Sequence, residues 1–337
     1  ECLSVGRAIS LPALGTAASA RCALAAGAYS RARSQFGLPL HKFEAIQEQL
    51  AEVAYHAYLT QATQKAINGE LQNGESPSAL SAMWKYQSTE RGRKAVQSTM
   101  DILAGAAIQE GSNNVIAETY KSMPIAITVE GANILSRSLV TFGGGLMRSH
   151  PHLKNLVDAI HSEHAGDTLK HSAKMLLHVL RNFCFGLFDR YALFAFTADM
   201  VLTLGSKYKK SEYISSRMAD IFSIRVFESA VIAQPESPLR DYVLKRLHNE
   251  ESQAYRDVIA EMPWWSGGLL RLAKNFKLRQ KHIGVRDSQA AAYSIAQKTA
   301  FVESLIDYVH LEGRMSELVE CYDSNNFYDT VIEVDVE

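Results

Sequence analysis

Two short strings carry the residues with most chemical promise. The first is Thr128-Val129-Glu130-Gly131-Ala132-Asn133, just ahead of an apolar helical pattern at Ile134, Leu135, Leu139 and Val140. A lone carboxylate such as Glu130 acts as a general base when desolvation tunes its pKa. At a helix start it gains from the dipole, and free backbone N–H groups there can bind a developing oxyanion. Gly131 lets backbone and substrate approach without a Cβ. The plainer alternative is a glutamate that only complements the dipole. The second string, Arg33-Ser34-Gln35-Phe36-Gly37, closes a helix rich in small residues. An arginine at a helix C-terminus with a Phe-Gly exit can pair with a phosphate and stack an aromatic ring. Here the alternative is an ordinary helix end with a surface arginine.

Rigid elements must hold these strings in place. Residues 9–32 are dense in Ala, Gly and Leu, with Pro12 near the start, and Gly37 and Pro39 end that helix. Phe43, Ile46, Leu50, Val53 and Ala57 recur at spacings of three and four, which predicts an amphipathic helix over 42–71. Gly69 and Asn73-Gly74 stop it. Ser76-Pro77 opens a third helix running to about Leu103. A loop over 105–114, a short helix to about Met123 and a break at Pro124 lead to the Glu130 segment. Long antiparallel helices with short connections follow the logic of a four-helix bundle. The bundle ends near Phe142-Gly143-Gly144-Gly145, and His150-Pro151-His152 restarts the chain. Helical spacing continues near 151–164, 167–204, 212–232, 238–261 and 288–312. The expected fold class is all-α, with a bundle domain at 1–147 and a further helical domain at 148–337. No convincing strand run appears, and 330–336 alternates only weakly.

Composition narrows the function classes. The 337 residues are 47% hydrophobic and 21% charged, ordinary for a soluble protein with a real core. A net charge of −1 supplies no basic field for nucleic acid. Cys2, Cys22, Cys184 and Cys321 are far apart with no Cys-x-x-Cys, so neither a disulfide framework nor a zinc site is expected, and a reducing compartment is the simplest inference. The chain opens Glu1-Cys2-Leu3 with no visible signal peptide. It looks like a cut inside a longer protein, expected to be cytoplasmic, with membrane association as the open alternative. The stretch 183–204 is interrupted by Asp189, Arg190 and Asp199, too broken for a membrane span, and is expected to be a buried helix.

Two further groupings need weighing. His161, His164, His171 and His178 recur at spacings of three and seven, but Gly166-Asp167 separates the pairs, and no metal site is expected. Trp264-Trp265 precedes Arg271, Lys274, Lys277, Arg279 and Lys281, while residues 303–337 are acidic. The tryptophans suit either an interfacial helix at a membrane surface or packing onto the first domain.

In order and spacing, the two strings resemble the C-terminal helical domain of acyl-CoA dehydrogenases. That resemblance implies that Glu130 is the base, and that Arg33 and Phe36 touch flavin adenine dinucleotide (FAD). Residues 42–47 fit the helix that follows in that family. Asp101-Ile102-Leu103-Ala104-Gly105-Ala106-Ala107-Ile108 falls where members carry a Gln and then a Gly-Gly-x-Gly run near the neighbouring subunit's FAD. Here Asp101 replaces Gln, only Gly105 survives, and Ala104 and Ala107 add methyls. Asp101 and Gly105 are the implied cofactor contacts. Ala132 replaces the Thr of many members. The Glu130 string, together with Gly6-Arg7-Ala8-Ile9-Ser10-Leu11-Pro12, looks like the long bacterial fatty-acyl-CoA dehydrogenases. Those carry an extra C-terminal helical region, which the second half resembles. Arg7 and Gly131 would then lie near the acyl-CoA. The resemblance further implies a long-chain fatty acyl-CoA substrate, a trans-2-enoyl-CoA product, an electron-transferring flavoprotein as acceptor and a homo-oligomer. Two alternatives stay open. One is a non-catalytic helical module for oligomerisation or membrane docking. The other is an acyl-CoA oxidase-like enzyme that reduces oxygen.

Overall fold

The computed structural model describes residues 2–74, 78–138, 151–152, 154–155, 158–159, 165–204 and 211–322. The Gly143-Gly144-Gly145 run, the 147/148 boundary, Leu139, Val140, His161, His164 and the 330–336 alternation lie outside them, as does the Arg7 side chain. Thirteen α-helices occur among the described residues. They are α1 (Cys2–Ala32), α2 (Glu44–Gln72), α3 (Ser78–Leu103), α4 (Ala117–Thr128), α5 (Asn133–Leu135), α6 (Ala165–Gly186), α7 (Arg190–Leu202), α8 (Glu212–Ile232), α9 (Pro238–Glu261), α10 (Trp264–Lys277), α11 (Val285–Ala296), α12 (Ala300–Ile306) and α13 (Arg314–Glu320). A two-residue pair, β1 (Ser34–Gln35) and β2 (Leu38–Pro39), follows α1. The fold is all-α, and this hairpin is the only strand pairing among the described residues.

Three local expectations need correction. Pro124 lies inside α4 rather than breaking it. Its ring is at an exposed position, and the single missing N–H leaves one carbonyl, that of Tyr120, without its helical partner. Buried Met123 and Ala126 hold the helix on either side. The stretch 183–204 is two helices, because the Asp189 carboxylate accepts from the Ala192 N–H at 2.8 Å and caps the start of α7. Similarly, Thr299 caps α12, its hydroxyl accepting from the Val302 N–H, and splits 288–312.

The chain forms two compact units. The first comprises 1–132, 227–246 and 282–337; the second comprises 133–226 and 247–281. The units are thus each built from segments that are separated in sequence. The physical reason is that α11, α12 and α13 pack on α1, and α11 also on α2.

In the first unit α1 is the hub, packing against α2, α3, α4, α11, α12 and α13. Its residues from Cys22 to Ala26 are fully buried. Small residues allow this, as backbone-to-backbone approach shows. A Cβ on Gly15 would stand 2.5 Å from the Ser88 carbonyl oxygen of α3, and one on Gly27 would stand 2.0 Å from that of Ile295. Residues Ile9–Ala32 of this helix are long and apolar enough to cross a membrane, yet most of that surface is buried in the bundle. In the second unit, Leu193, Phe196 and Val201 of α7 pack with Met218 and Ile221 of α8, Tyr255 and Val258 of α9, and Leu270 and Ala273 of α10. At its heart the fully buried Glu251 carboxylate pairs with Arg190 and, at 2.8 Å, with Arg225. Removing one member of such a buried group strands the others and costs about 3–5 kcal/mol.

Candidate functional site

Helix α1 ends at Ala32, and Arg33 donates its N–H to the Tyr29 carbonyl at 2.8 Å. The chain then turns back, pairing Ser34 with Pro39 and Gln35 with Leu38. Phe36 and Gly37 form the two-residue loop with φ of 54° and 79°. Positive φ at both loop positions is what a type I′ hairpin needs. Gly37 takes this freely, but phenylalanine does so at a steric cost. The result is a phenylalanine that is 92% exposed, with an edge contact to Phe43 at 6.4 Å.

Below the hairpin lies a cavity of about 650 Å³. Arg33 and Gln35 line it from the hairpin, and Asp101, Ala104 and Gly105 from the end of α3. Three of the four expected cofactor residues therefore meet at one opening, with Phe36 on the adjacent turn. Among the described residues, no hydrogen bond or ion pair engages the Arg33 guanidinium or the Asp101 carboxylate. Both are exposed and available to a ligand. Ala104 has φ of 49°. The left-handed backbone persists here although the side chain is not glycine's. One wall was not expected from the sequence: Arg314, Glu317 and Cys321 also line the cavity. Arg314 donates to Asn113 Oδ1 at 3.0 Å and to Glu317 at 2.9 Å, tying α13 to the loop after α3.

Glu130 occupies a different setting. It is exposed, with φ of 54°, and Gly131 follows at 95°. The turn lies after the C-terminus of α4, and α5 begins only at Asn133. The carboxylate is therefore not in the first turn of a helix. What fixes the turn is Lys85 of α3, which is fully buried. Its Nζ donates to the Gly131 carbonyl at 2.8 Å and to that of Ile127 at 3.2 Å. Ile127 is in the last turn of α4, where carbonyls lack helical partners and a cation is favoured. A lysine following Ala82-Met83-Trp84 on a helix is a weak signal, and the sequence reading did not single it out.

The two settings are not merged within this chain. Lys85 and Asp101 are sixteen positions apart on α3, which is roughly 24 Å along a helix axis. One feature joins them. Phe36, Ala104 and Glu130 are the three non-glycine residues with positive φ among the described residues. Phe36 and Glu130 fall in the two strings singled out for chemistry, and Ala104 in the string that the family resemblance adds. Strained backbone of this kind concentrates at functional sites. Elsewhere, the His178 ring meets Asn182 at 2.9 Å, and Asn182 donates to the buried Asp199 at 2.8 Å, an internal polar tie.

Residues 1–141 match the family described as "Acyl-CoA dehydrogenase, C-terminal domain", and residues 187–334 match "Acyl-CoA dehydrogenase, C-terminal, bacterial type". Among solved structures, the chain is similar to an acyl-CoA dehydrogenase from Bacillus anthracis complexed with FAD. The TM-score is 0.59 and the identity 17%, over 90% of this chain and 56% of that one. It is also similar to acyl-CoA oxidase-1 of Caenorhabditis elegans complexed with FAD and ATP. There the TM-score is 0.50 and the identity 14%, over 99% of this chain and 53% of that one. Such identities speak to the fold alone. The chain spans a little over half the length of these proteins. The two family matches cover most of its length between them, and the chain belongs to the acyl-CoA dehydrogenase family, of which it is a C-terminal part.

Proposed function

We propose that this chain supplies half of the active site of an FAD-dependent acyl-CoA dehydrogenase acting on long-chain fatty acyl-CoA in β-oxidation. The observation that carries this reading is the coincidence of left-handed backbone at Phe36, Ala104 and Glu130 with the three strings of the family pattern. The residues present fit a flavin dinucleotide. Arg33 offers an unengaged guanidinium for phosphate, Phe36 an exposed ring for stacking, and Asp101 an acceptor for hydroxyl groups, around a cavity bordered by Gly105. The methyl of Ala104 makes this approach wider than glycine would. Bound flavin supplies the acceptor for the hydride leaving the β-carbon.

Glu130 takes the proton from the α-carbon. The C–H electron pair becomes the new Cα–Cβ double bond as the β-hydrogen departs with its own pair, giving trans-2-enoyl-CoA. Gly131 lets the thioester approach the turn and Lys85 holds the turn still; the family resemblance adds Arg7 as an acyl-CoA contact. Preorganisation of the base matters because a misplaced carboxylate loses much of its effective concentration. Electrons pass on to an electron-transferring flavoprotein, and the enzyme is a cytoplasmic homo-oligomer in which a neighbouring copy shares the Arg33 cavity. An oxidase-like reading, with oxygen as acceptor, draws support from the C. elegans oxidase, whose fold matches 99% of this chain.

The test is the visible spectrum of the chain with added FAD, beside a protein extended through the preceding domains. Stoichiometric flavin in the extended protein, with weak binding to the chain alone, is the expected result. No flavin in either would overturn the reading. Reoxidation of reduced flavin by air as fast as by an electron-transferring flavoprotein would select the oxidase.

A further inference from the structure

Helix α6 is oriented against the usual rule. An amphipathic helix normally turns its apolar stripe to the core. On α6, Leu169, Ala173, Leu176, Leu177, Leu180 and Cys184 all point outward. At 3.6 residues per turn they fall within an arc of about 100°. Leu169 is 74% exposed and Leu177 69%. The inward face instead carries His178 and Asn182, tied to Asp199, together with Val179 and Phe183. Lys170, Lys174 and Arg181, all exposed, run along one flank of the apolar stripe.

Helix α10, in the same unit and in contact with α6 and α7, repeats the arrangement. Its buried face is Ser266, Gly267, Leu270, Ala273 and Lys274, while Trp264, Trp265, Leu269 and Leu272 face out, with Arg271 beside them. Trp264 is 89% exposed. Exposed apolar surface in this amount marks an interaction site. The chemistry of the margin identifies the partner: tryptophans and snorkelling cations beside an apolar stripe match the boundary between acyl chains and anionic headgroups.

We propose that the outward faces of α6 and α10 dock this protein on an anionic phospholipid bilayer, with the leucines and tryptophans in the acyl boundary and Lys170, Lys174, Arg181 and Arg271 on the headgroups. This rests on surface geometry and stands independently of the dehydrogenase reading. A surface-bound enzyme would meet amphiphilic substrates where they concentrate.

Flotation with vesicles, of the 337-residue chain and of the protein extended through the preceding domains, tests it, and both should float. Phosphatidylcholine mixed with phosphatidylglycerol should bind on the order of a hundredfold more tightly than phosphatidylcholine alone. High salt should reduce that preference. Lys170→Glu with Lys174→Glu should remove the preference for anionic lipid. Leu176→Glu with Leu180→Glu, or Trp264→Ser with Leu272→Glu, should abolish flotation while leaving the circular dichroism of the chain unchanged. Absence of flotation on either vesicle, or flotation unaltered by these substitutions, overturns the proposal. So does a concentration-dependent dimer that dissociates in Leu176→Glu, which would assign the face to a second copy.

Discussion

The Phe36-Gly37 and Glu130-Gly131 turns share one backbone device. In each, a non-glycine residue at φ of 54° is followed by a glycine at positive φ, and the first side chain is held out into solvent. Their anchorage differs. The Phe36 turn closes a hairpin of four strand residues and is held by backbone pairing. The Glu130 turn is gripped from beneath by a buried lysine on α3. A stacking ring tolerates some play, because aromatic contact is broad in geometry. A proton-abstracting carboxylate does not, because reach to one hydrogen decides its rate. On the proposed assignment, the difference in anchorage would match the difference in task.

Breaking the stronger anchor should have the largest effect. Lys85→Met keeps the length of the stem and removes the ammonium, so the carbonyls of Ile127 and Gly131 lose a charged donor. Denaturant unfolding should show a loss of about 2 kcal/mol. In a flavin-loaded protein the same change should lower turnover while leaving flavin content intact. A parallel fall in flavin content would mean that the two turns are not separately anchored.

Next come the glycines. Gly131→Ala and Gly37→Ala each force an L side chain to φ of 95° or 79°, with an expected loss of about 1–2 kcal/mol. Activity should suffer in the first and flavin affinity in the second. Thermal melts and flavin titrations of the two variants separate these outcomes.

The smallest effects carry the opposite sign. Asparagine accepts left-handed backbone better than phenylalanine or glutamate. Phe36→Asn and Glu130→Asn should therefore stabilise the chain, by up to about 1 kcal/mol each. The first should weaken flavin binding and the second should abolish turnover. A gain in stability joined to a loss of function is the mark of strain kept for function. Destabilisation by both would remove the strain argument.

Much of this was legible in the sequence, and the rest was hidden for identifiable reasons. Spacing of apolar residues placed α2 within two residues at each end, the Gly/Asn-containing loop over 105–114 placed the end of α3, and the small residues of α1 suit the close crossing seen at Gly15 and Gly27. The strings around Arg33 and Glu130 stand out by their residue types and order, whereas the Asp101 string is picked out only by the family resemblance, from which it departs. Pro124 misled because proline is read as a breaker, whereas packing at Met123 and Ala126 carries the helix past it. Asp189 went unnoticed as a cap because the apolar residues on both sides suggest one helix. Lys85 was invisible because a charged residue on a helix is assumed to face water. The α13 wall of the cavity depends on residues about 280 positions from Arg33, beyond any local pattern. The outward stripe of α6 shows the deepest limit: periodicity reports that a helix has an apolar face, never which way that face looks.

The claim at the centre is that Glu130 is the base. Its most direct test is Glu130→Gln in the protein extended to hold flavin, followed by the bleaching of the flavin absorbance on adding a long-chain acyl-CoA. The account predicts a normal flavin spectrum and a loss of bleaching rate of several orders of magnitude. Bleaching at the unmodified rate would contradict it and assign the α-proton to another residue.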